Sequence, residues 1–382
     1  MAAALGRGPN GNPVEATLII PRAWRTPPDE QRLAVRYTCR GSVESPAIEA
    51  DVDGIRFALD APVRLLPVEI PKPWGREIWF TGIEARGESQ VAGRGGELGL
   101  GSYLALAPER LCRHQHIVLL KILDPRPEPV LGELYLEVHE EKREVYVVTA
   151  IDPLAWPSGR GRIRYGVNPS VRRAMGSDHA CRQAFLAAVA RYESVRQAID
   201  AGSEGLEAEE TAAREAARAF TDERELVPGD VISVPTWLPH SLQHGVRVVE
   251  FQTPTYERLI VSSSQRVLTQ SGWDSERAIG QMRLDIPPDP PPEPIAPGVE
   301  RIAAFEDFAV WRARVEVDGE LALPTELPYA VIYCISGSIE LGGPAGALTL
   351  SAHEAAFLPA AATGKPISAK QDSLLLVAAP GL

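Results

Sequence analysis

Residues 132–144 read GELYLEVHEEKRE and carry the spacing from which the fold of this chain can be predicted. Glu137 and His139 stand two positions apart, and Glu144 follows five positions after His139. In a β-strand, side chains at positions i and i+2 point to the same face. We therefore predict that Glu137 and His139 project together from one strand.

Residues 229–244 read GDVISVPTWLPHSLQH and supply the second stretch. The β-prone residues 231–234 predict another strand, which Pro235 ends because proline has no backbone N–H to donate to a neighbouring strand. Carboxylates and imidazoles that converge inside a β-barrel make a site for a divalent metal ion. We predict that the ligands of this metal are Glu137, His139, Glu144 and His240.

The two stretches together resemble the two motifs of the cupin superfamily, whose members are β-barrels of the jelly-roll type. Glu137 stands in place of the first histidine of motif one. In motif two, Trp237 stands in place of a glycine and His244 in place of an asparagine. Each stretch keeps its glycine, its turn residue and its ligand in order. The alternative, ordinary charged residues on exposed strands, leaves this paired spacing unexplained and is less favoured.

A longer series of segments resembles the type I phosphomannose isomerases and their relatives. The resemblance implies a metal-dependent aldose–ketose isomerase that converts mannose 6-phosphate to fructose 6-phosphate through an enediolate. Zinc is the metal that it implies, and a small-molecule sugar or sugar phosphate is the partner. The matching segments keep the family's order and are IPKPWGREIWF (70–80), IVLLKILD (117–124), LYLEVH (134–139), KREVY (142–146), VEFQ (249–252) and TPTYERL (253–259).

Three further residues match catalytic positions of that family. Lys142 matches a lysine that would stabilise developing charge or relay a proton, and Glu250 matches a glutamate that would support or exchange protons. Arg258 matches an arginine that would neutralise the enediolate. The alternative is that Lys142 and Arg258 are solvated surface charges and that Glu250 is a hydrogen-bonded strand carboxylate.

The chain departs from the family pattern at several of these positions. Glu137 replaces a glutamine and adds a negative charge, so Fe²⁺ or Mn²⁺ suits the ligands about as well as Zn²⁺. Only four residues separate His139 from Glu144, where the family has a long loop, and Tyr135 replaces a serine near the family's phosphate site. Two alternatives stay open: another metal cupin enzyme, such as an Fe-dependent dioxygenase or a sugar epimerase, and a non-catalytic sugar-binding cupin.

The expected architecture is a mainly β bicupin, with two jelly-roll domains and an α-helical insertion in the first. Apolar residues at three-four spacing and an Ala/Glu-rich stretch predict that the insertion is helical. A proline-rich segment predicts an extended linker, and the last domain has no set of metal ligands. The expected divisions are an N-terminal β segment (1–67) packed with the first barrel, a metal-binding cupin domain (68–283), its insertion (168–222), the linker (284–298) and a degenerate, metal-free cupin domain (299–382).

Composition and charge exclude several classes of protein. A net charge of −12 over 382 residues argues against a nucleic-acid partner, because a phosphate backbone attracts a basic surface. No apolar run is long enough to span a bilayer, and the first residues show no signal-peptide pattern. The four scattered cysteines predict reduced thiols rather than disulfides. These features together predict a cytoplasmic protein without a membrane partner.

Overall fold

The structure, a computed structural model, describes residues 13–41, 46–112, 116–129, 136–261, 273–323, 327–342 and 347–381. Antiparallel strands dominate it, so the predicted mainly β class is confirmed. The chain divides into two compact units. Unit 1 comprises Met1–Ile70, Ile78–Lys121 and Pro290–Leu382, and unit 2 comprises Pro71–Glu77 and Ile122–Asp289.

The strands and helices occur along the chain in the following order. The first part of the chain contains β1 (Val14–Arg22), β2 (Asp29–Gly41), β3 (Pro46–Val52), β4 (Ile55–Ala58), β5 (Val63–Leu66), β6 (Val68–Lys72), β7 (Gly75–Trp79), β8 (Ile83–Glu84), β9 (Gly87–Glu88), β10 (Gln90–Gly93), β11 (Gly96–Gly99), α1 (Leu100–Leu106), α2 (Pro108–Leu111) and β12 (Leu119–Pro125). The middle part contains β13 (Leu136–Val138), β14 (Glu144–Ile151), β15 (Gly161–Val167), α3 (Pro169–Ala174), α4 (Asp178–Asp200), α5 (Glu207–Arg218), β16 (Thr221–Leu226), β17 (Val231–Val234), β18 (His240–Leu242), β19 (Val246–Gln252), β20 (Leu259–Val261) and α6 (Ser275–Gln281). The last part contains β21 (Glu293–Ala296), β22 (Val299–Ala304), β23 (Phe308–Val315), β24 (Glu320–Leu321), β25 (Tyr329–Leu341), β26 (Leu348–Ser351), β27 (Ala355–Pro359), α7 (Ala360–Thr363) and β28 (Ile367–Pro380).

Unit 1 opens with a four-stranded antiparallel sheet in the order β1-β2-β3-β4. The turn between β3 and β4 consists of Asp53 and Gly54, both with positive φ. Two-residue hairpins favour this conformation because its twist matches that of the strands, and an Asp-Gly pair adopts it readily. Local sequence therefore determines this hairpin.

The second sheet of unit 1 joins N-terminal and C-terminal strands. Its main order is β11-β10-β5-β27-β25-β28-β23-β22-β21, so β5 pairs with β27. Strands β1 to β5 belong to unit 1, which also contains the C-terminal strands. The expected N-terminal β segment includes β5 but carried no information on the partner of this strand, which is distant in sequence.

The proline-rich segment 284–298 contains a short strand. Strand β21 pairs with β22 and is exposed along its whole length. It lies at the edge of its sheet, where proline is tolerated because one side of the strand needs no N–H donors. The division between the units falls within this segment, between Asp289 and Pro290.

Two antiparallel sheets dominate unit 2. Their strand orders are β17-β14-β19-β12-β7-β6 and β16-β15-β18-β13-β20. Both sheets contribute side chains to one apolar core, which includes Tyr146, Val148 and Val248 from the first and Ile163 and Leu242 from the second. The sheets therefore face each other across this core.

The predicted helical insertion is present as α3, α4 and α5. Ser177 caps α4 by accepting a hydrogen bond from the backbone N–H of Ala180. The buried face of α4 belongs to an apolar cluster that also contains Leu136 and Val138 of β13. Successive residues of a strand alternate in direction, so Glu137 points away from the helices. The insertion is thus a packing layer behind the strand that carries Glu137. Within the described residues, no helix has the length and apolarity needed to cross a membrane.

Candidate metal centre

Strands β13 and β18 bring the first potential ligands together. Glu137 pairs directly with His240 in the antiparallel register. His139 follows β13 by one residue, and both histidines are buried. The donor atoms of Glu137, His139 and His240 lie within 4.8 Å of one another. Two imidazoles and a carboxylate at this spacing have the donor chemistry and compactness of a metal site.

Glu144 approaches the same centre from the opposite sheet. It begins β14, where it pairs with Val234 and Gln252. Its Oε2 lies 3.1 Å from Nε2 of His240, and its Oε1 lies 3.5 Å from Nε2 of His139. The carboxylate therefore faces both imidazole nitrogens that point into the centre.

Two side chains hold the Glu144 carboxylate. Lys142 Nζ lies 2.7 Å from its Oε1, and the Tyr146 hydroxyl donates a hydrogen bond of 2.6 Å to its Oε2. Burial opposes ionisation of Glu144, but Lys142 and the two histidines outweigh it and hold the pKa of Glu144 well below its usual range. Burial, Glu144 and Glu250 raise the pKa of Tyr146 well above its usual range, so the phenol remains a donor.

Both imidazole rings are oriented by backbone carbonyls. Nδ1 of His139 lies 3.0 Å from the carbonyl oxygen of Glu257, and Nδ1 of His240 lies 3.0 Å from that of Leu238. A carbonyl oxygen only accepts hydrogen bonds, so each Nδ1 carries the proton in these contacts. The Nε2 lone pair of the neutral ring is then available to a metal ion, which is the arrangement usual for metal-binding histidines.

The charges around the centre set the protonation of the other groups. Burial raises the pKa of Glu137, but His139, Lys142, Arg258 and His240 together lower it below its usual value. Burial, reinforced by Lys142, lowers the pKa of His139. Burial also opposes protonation of His240, but its hydrogen bond to Glu144 raises the pKa. The carboxylates are thus charged and able to bind a cation.

Trp237 occupies the position where the cupin motif has a glycine, and its backbone adopts a conformation typical of glycine. Its φ is +65°, in the left-handed region that glycine adopts most readily. Its N–H donates to the carbonyl of His139 over 2.6 Å, and its own carbonyl accepts from Arg283 N over 2.6 Å. The turn therefore retains the glycine-like conformation and is tied to the ligand strand.

The structure also places the three residues that the resemblance associates with catalysis. Lys142 contacts Glu144 as described, and Glu250 is fully buried on β19 opposite Tyr146. The charge of Arg258 lowers the pKa of Glu137, and its guanidinium carbon lies 5.9 Å from the centre of the Tyr256 ring. These positions put all three in the surroundings of the four potential ligands. Lys142 is buried, unlike a solvated surface charge.

Some residues discussed from the sequence lie elsewhere or outside the described residues. Tyr135 belongs to a stretch that the structure does not describe. The ring of His244 stacks on Trp156 at 5.0 Å between ring centres, and its carbonyl accepts from Trp156 Nε1. The four cysteines are all free.

Sequence reasoning missed two residues of the centre, Tyr146 and Glu257. Tyr146 lies two positions after Glu144 on β14, so strand alternation alone would have placed both side chains on one face. The Glu257 carboxylate accepts hydrogen bonds from the turn that links His139 to Glu144. No local pattern indicates that contact, because Glu257 is far from the turn in sequence.

Comparison with known proteins identifies the fold. No protein-family model and no curated protein matches the sequence. The mannose 6-phosphate isomerase from Bacillus subtilis aligns with 83% of this chain and 99% of its own, at a TM-score of 0.61 and 16% identity. The enzyme from Salmonella typhimurium bound to fructose 6-phosphate and zinc covers 84% of this chain and 100% of its own, at a TM-score of 0.62 and 12% identity. A zinc-bound holo mannose 6-phosphate isomerase gives the same coverage, a TM-score of 0.63 and 14% identity.

The strands and the centre together give a mainly β fold with a possible metal site. More specifically, the chain has the fold of the mannose 6-phosphate isomerases. The resemblance deduced from the sequence segments is confirmed in this respect. The low identities mean that the likeness applies to the fold.

Proposed function

We propose that this protein binds a divalent metal ion and isomerises a sugar phosphate, with mannose 6-phosphate and fructose 6-phosphate as the aldose and ketose. One observation carries the proposal: two imidazole nitrogens and two carboxylates converge in a chain that has the mannose 6-phosphate isomerase fold. The proposed metal ligands are Glu137, His139, Glu144 and His240.

The chemistry of these four residues fits a divalent metal. Both Nδ1 atoms donate to carbonyls and both Nε2 atoms face the Glu144 carboxylate, so a metal ion bound between them would replace the hydrogen bond of His240 to Glu144. Nitrogen and carboxylate ligands suit zinc, and Fe²⁺ or Mn²⁺ as well. Zinc is favoured because the solved structures of this fold contain it. Such an ion would polarise the carbonyl oxygen of a bound sugar.

The surrounding charged residues supply the other requirements of isomerisation. Moving a proton between adjacent carbons builds negative charge on the substrate oxygens, and nearby cations stabilise that charge. Arg258 is close enough to Glu137 for its charge to lower the pKa of that carboxylate. We propose that Arg258 neutralises the negative charge on the substrate oxygens. Lys142, held on Glu144, stabilises developing charge or relays a proton, and the buried Glu250 supports proton exchange.

The test combines metal analysis of the purified protein with an isomerase assay on mannose 6-phosphate. We expect about one zinc per chain and fructose 6-phosphate as product, with turnover lost after chelation and restored by zinc. If the protein binds metal but does not convert mannose 6-phosphate, the proposed substrate is wrong and the proposed metal site is retained. A protein that binds no divalent metal would contradict the whole proposal.

A second function is favoured by one observation, the presence of Glu137 beside the two histidines. With His139 and His240 it forms a set of two histidines and one carboxylate, which resembles the ligand set of Fe²⁺ oxygenases. This alternative predicts tightly held iron and oxygen consumption. An oxygen electrode measurement on the iron-loaded protein distinguishes it from the isomerase.

A further inference from the structure

We propose that Glu257 is a positioning residue that fixes the geometry of the metal centre. This inference rests on the proposed metal site. Within the described residues, Glu257 has recorded contacts with Nδ1 of His139 and with backbone N–H groups. It would act through the short turn that joins two ligands, since only four residues separate His139 from Glu144.

The Glu257 carboxylate receives the backbone N–H groups of this turn. Its Oε1 accepts from Glu140 N at 2.8 Å, and its Oε2 accepts from Glu141 N at 3.2 Å and from Lys142 N at 3.4 Å. Hydrogen bonds to a charged acceptor are stronger than neutral ones. The Glu257 side chain therefore accepts hydrogen bonds from three consecutive backbone N–H groups.

The backbone of Glu257 acts on the ligand that precedes the turn. Its carbonyl accepts from Nδ1 of His139 and thus fixes both the tautomer and the direction of the ring. The same residue therefore orients one ligand and holds the chain segment that leads to the next. Lys142, the last residue bound by the carboxylate, carries the amine that contacts Glu144.

A neighbouring residue closes the other end of the turn. The Thr253 hydroxyl accepts from Arg143 N at 3.0 Å, and Thr253 N donates to the Arg143 carbonyl over 3.0 Å. Residues 140–143 are thus docked along residues 253–257. Without the carboxylate of Glu257, three N–H groups of the turn would lose their acceptor, and His139 and Glu144 would vary in separation.

The experiment is a Co²⁺ titration of the full chain, followed by visible absorption, with Glu257→Ala, Glu257→Gln and Glu141→Ala. Cobalt reports the coordination geometry through its absorption bands. Loss of residues that orient metal ligands typically lowers metal affinity about 10- to 100-fold. We expect that loss and altered bands in Glu257→Ala. Glu257→Gln keeps one acceptor oxygen and should lose less.

Glu141→Ala is the matched control. It also removes one carboxylate at this turn, but the Glu141 side chain is exposed. We expect it to bind cobalt as the unaltered protein does. Unchanged affinity and bands in Glu257→Ala would overturn this inference, even if its melting temperature fell. An equal loss in Glu141→Ala would overturn it too, because general electrostatics would then explain the effect.

The titration also separates this inference from the proposed function. If the unaltered protein takes up no cobalt or zinc, both fail. If it binds metal and the Glu257 variants bind equally, only the positioning role fails. Should Glu257→Ala not fold, Glu257→Gln provides the comparison: weakened binding supports the role, and unchanged affinity and bands contradict it.

Discussion

Glu144 is the residue that connects most groups of the candidate centre. It contacts both histidines, Lys142 and Tyr146, although it is almost fully buried. An isolated buried carboxylate would be costly, and these partners offset the loss of hydration. This concentration of charge away from water is a feature that metal sites and catalytic sites share.

Replacing His240 tests the ligand set directly. His240→Ala removes one of the two imidazole donors, so we expect loss of stoichiometric metal and of any activity together. His244→Ala is the control, because this histidine stacks on Trp156. Metal content is measured by elemental analysis after gel filtration. Retention of one metal per chain in His240→Ala would contradict the proposed ligands.

The backbone of Trp237 allows a second prediction at the residue scale. Left-handed φ costs a non-glycine residue roughly 1–2 kcal/mol, and glycine avoids that cost. Trp237→Gly and Trp237→Ala both remove the indole, so their difference isolates the backbone at φ +65°. We expect the glycine variant to be more stable by about 1 kcal/mol. Urea denaturation measures this, and a more stable alanine variant would contradict it.

At the scale of elements, β13 separates two environments. Leu136 and Val138 pack in the cluster that contains α4, while Glu137 pairs with His240 and contributes to the metal centre. Strand alternation produces this division, since one face is apolar and the other polar. The helical layer therefore stabilises β13, while none of the four proposed metal ligands lies on these helices.

A core residue of α4 tests this role. Phe185 is fully buried and stacks on Phe220 at 4.9 Å between ring centres. Phe185→Ala should destabilise the protein by about 3–5 kcal/mol, because it leaves a cavity in the layer. Gln183→Ala, at an exposed position of the same helix, should change stability little. Urea denaturation compares the two, and a loss below about 1 kcal/mol in Phe185→Ala would contradict the packing argument.

At the scale of the whole molecule, all four proposed ligands belong to unit 2. A ligand that binds only the native state stabilises it by about 2.7 kcal/mol at a hundred times its Kd. Zinc should therefore slow amide hydrogen exchange in β14, β18 and β19, which surround the centre. Strands β25 and β28 of unit 1 serve as the internal reference. Equal slowing in both units, or no slowing in either, would contradict a metal site confined to unit 2.

Several features could be predicted from the sequence because they depend on residues that are near one another along the chain. The spacing of Glu137 and His139, the helical periodicity of α4 and the glycine-like position of Trp237 are all local patterns. They sufficed for the mainly β class, the insertion and the choice of candidate ligands. Periodicity determines which face a side chain occupies, so these predictions needed no knowledge of the partner.

Only the tertiary structure decided which distant segments meet. It paired β5 with β27, and it placed Glu257 on the turn between two ligands. A strand pattern leaves backbone donors and acceptors open to many partners, and the choice depends on how the whole set of strands buries its apolar faces. The sequence therefore determined the candidate ligands, and the packing of the sheets determined how they are held.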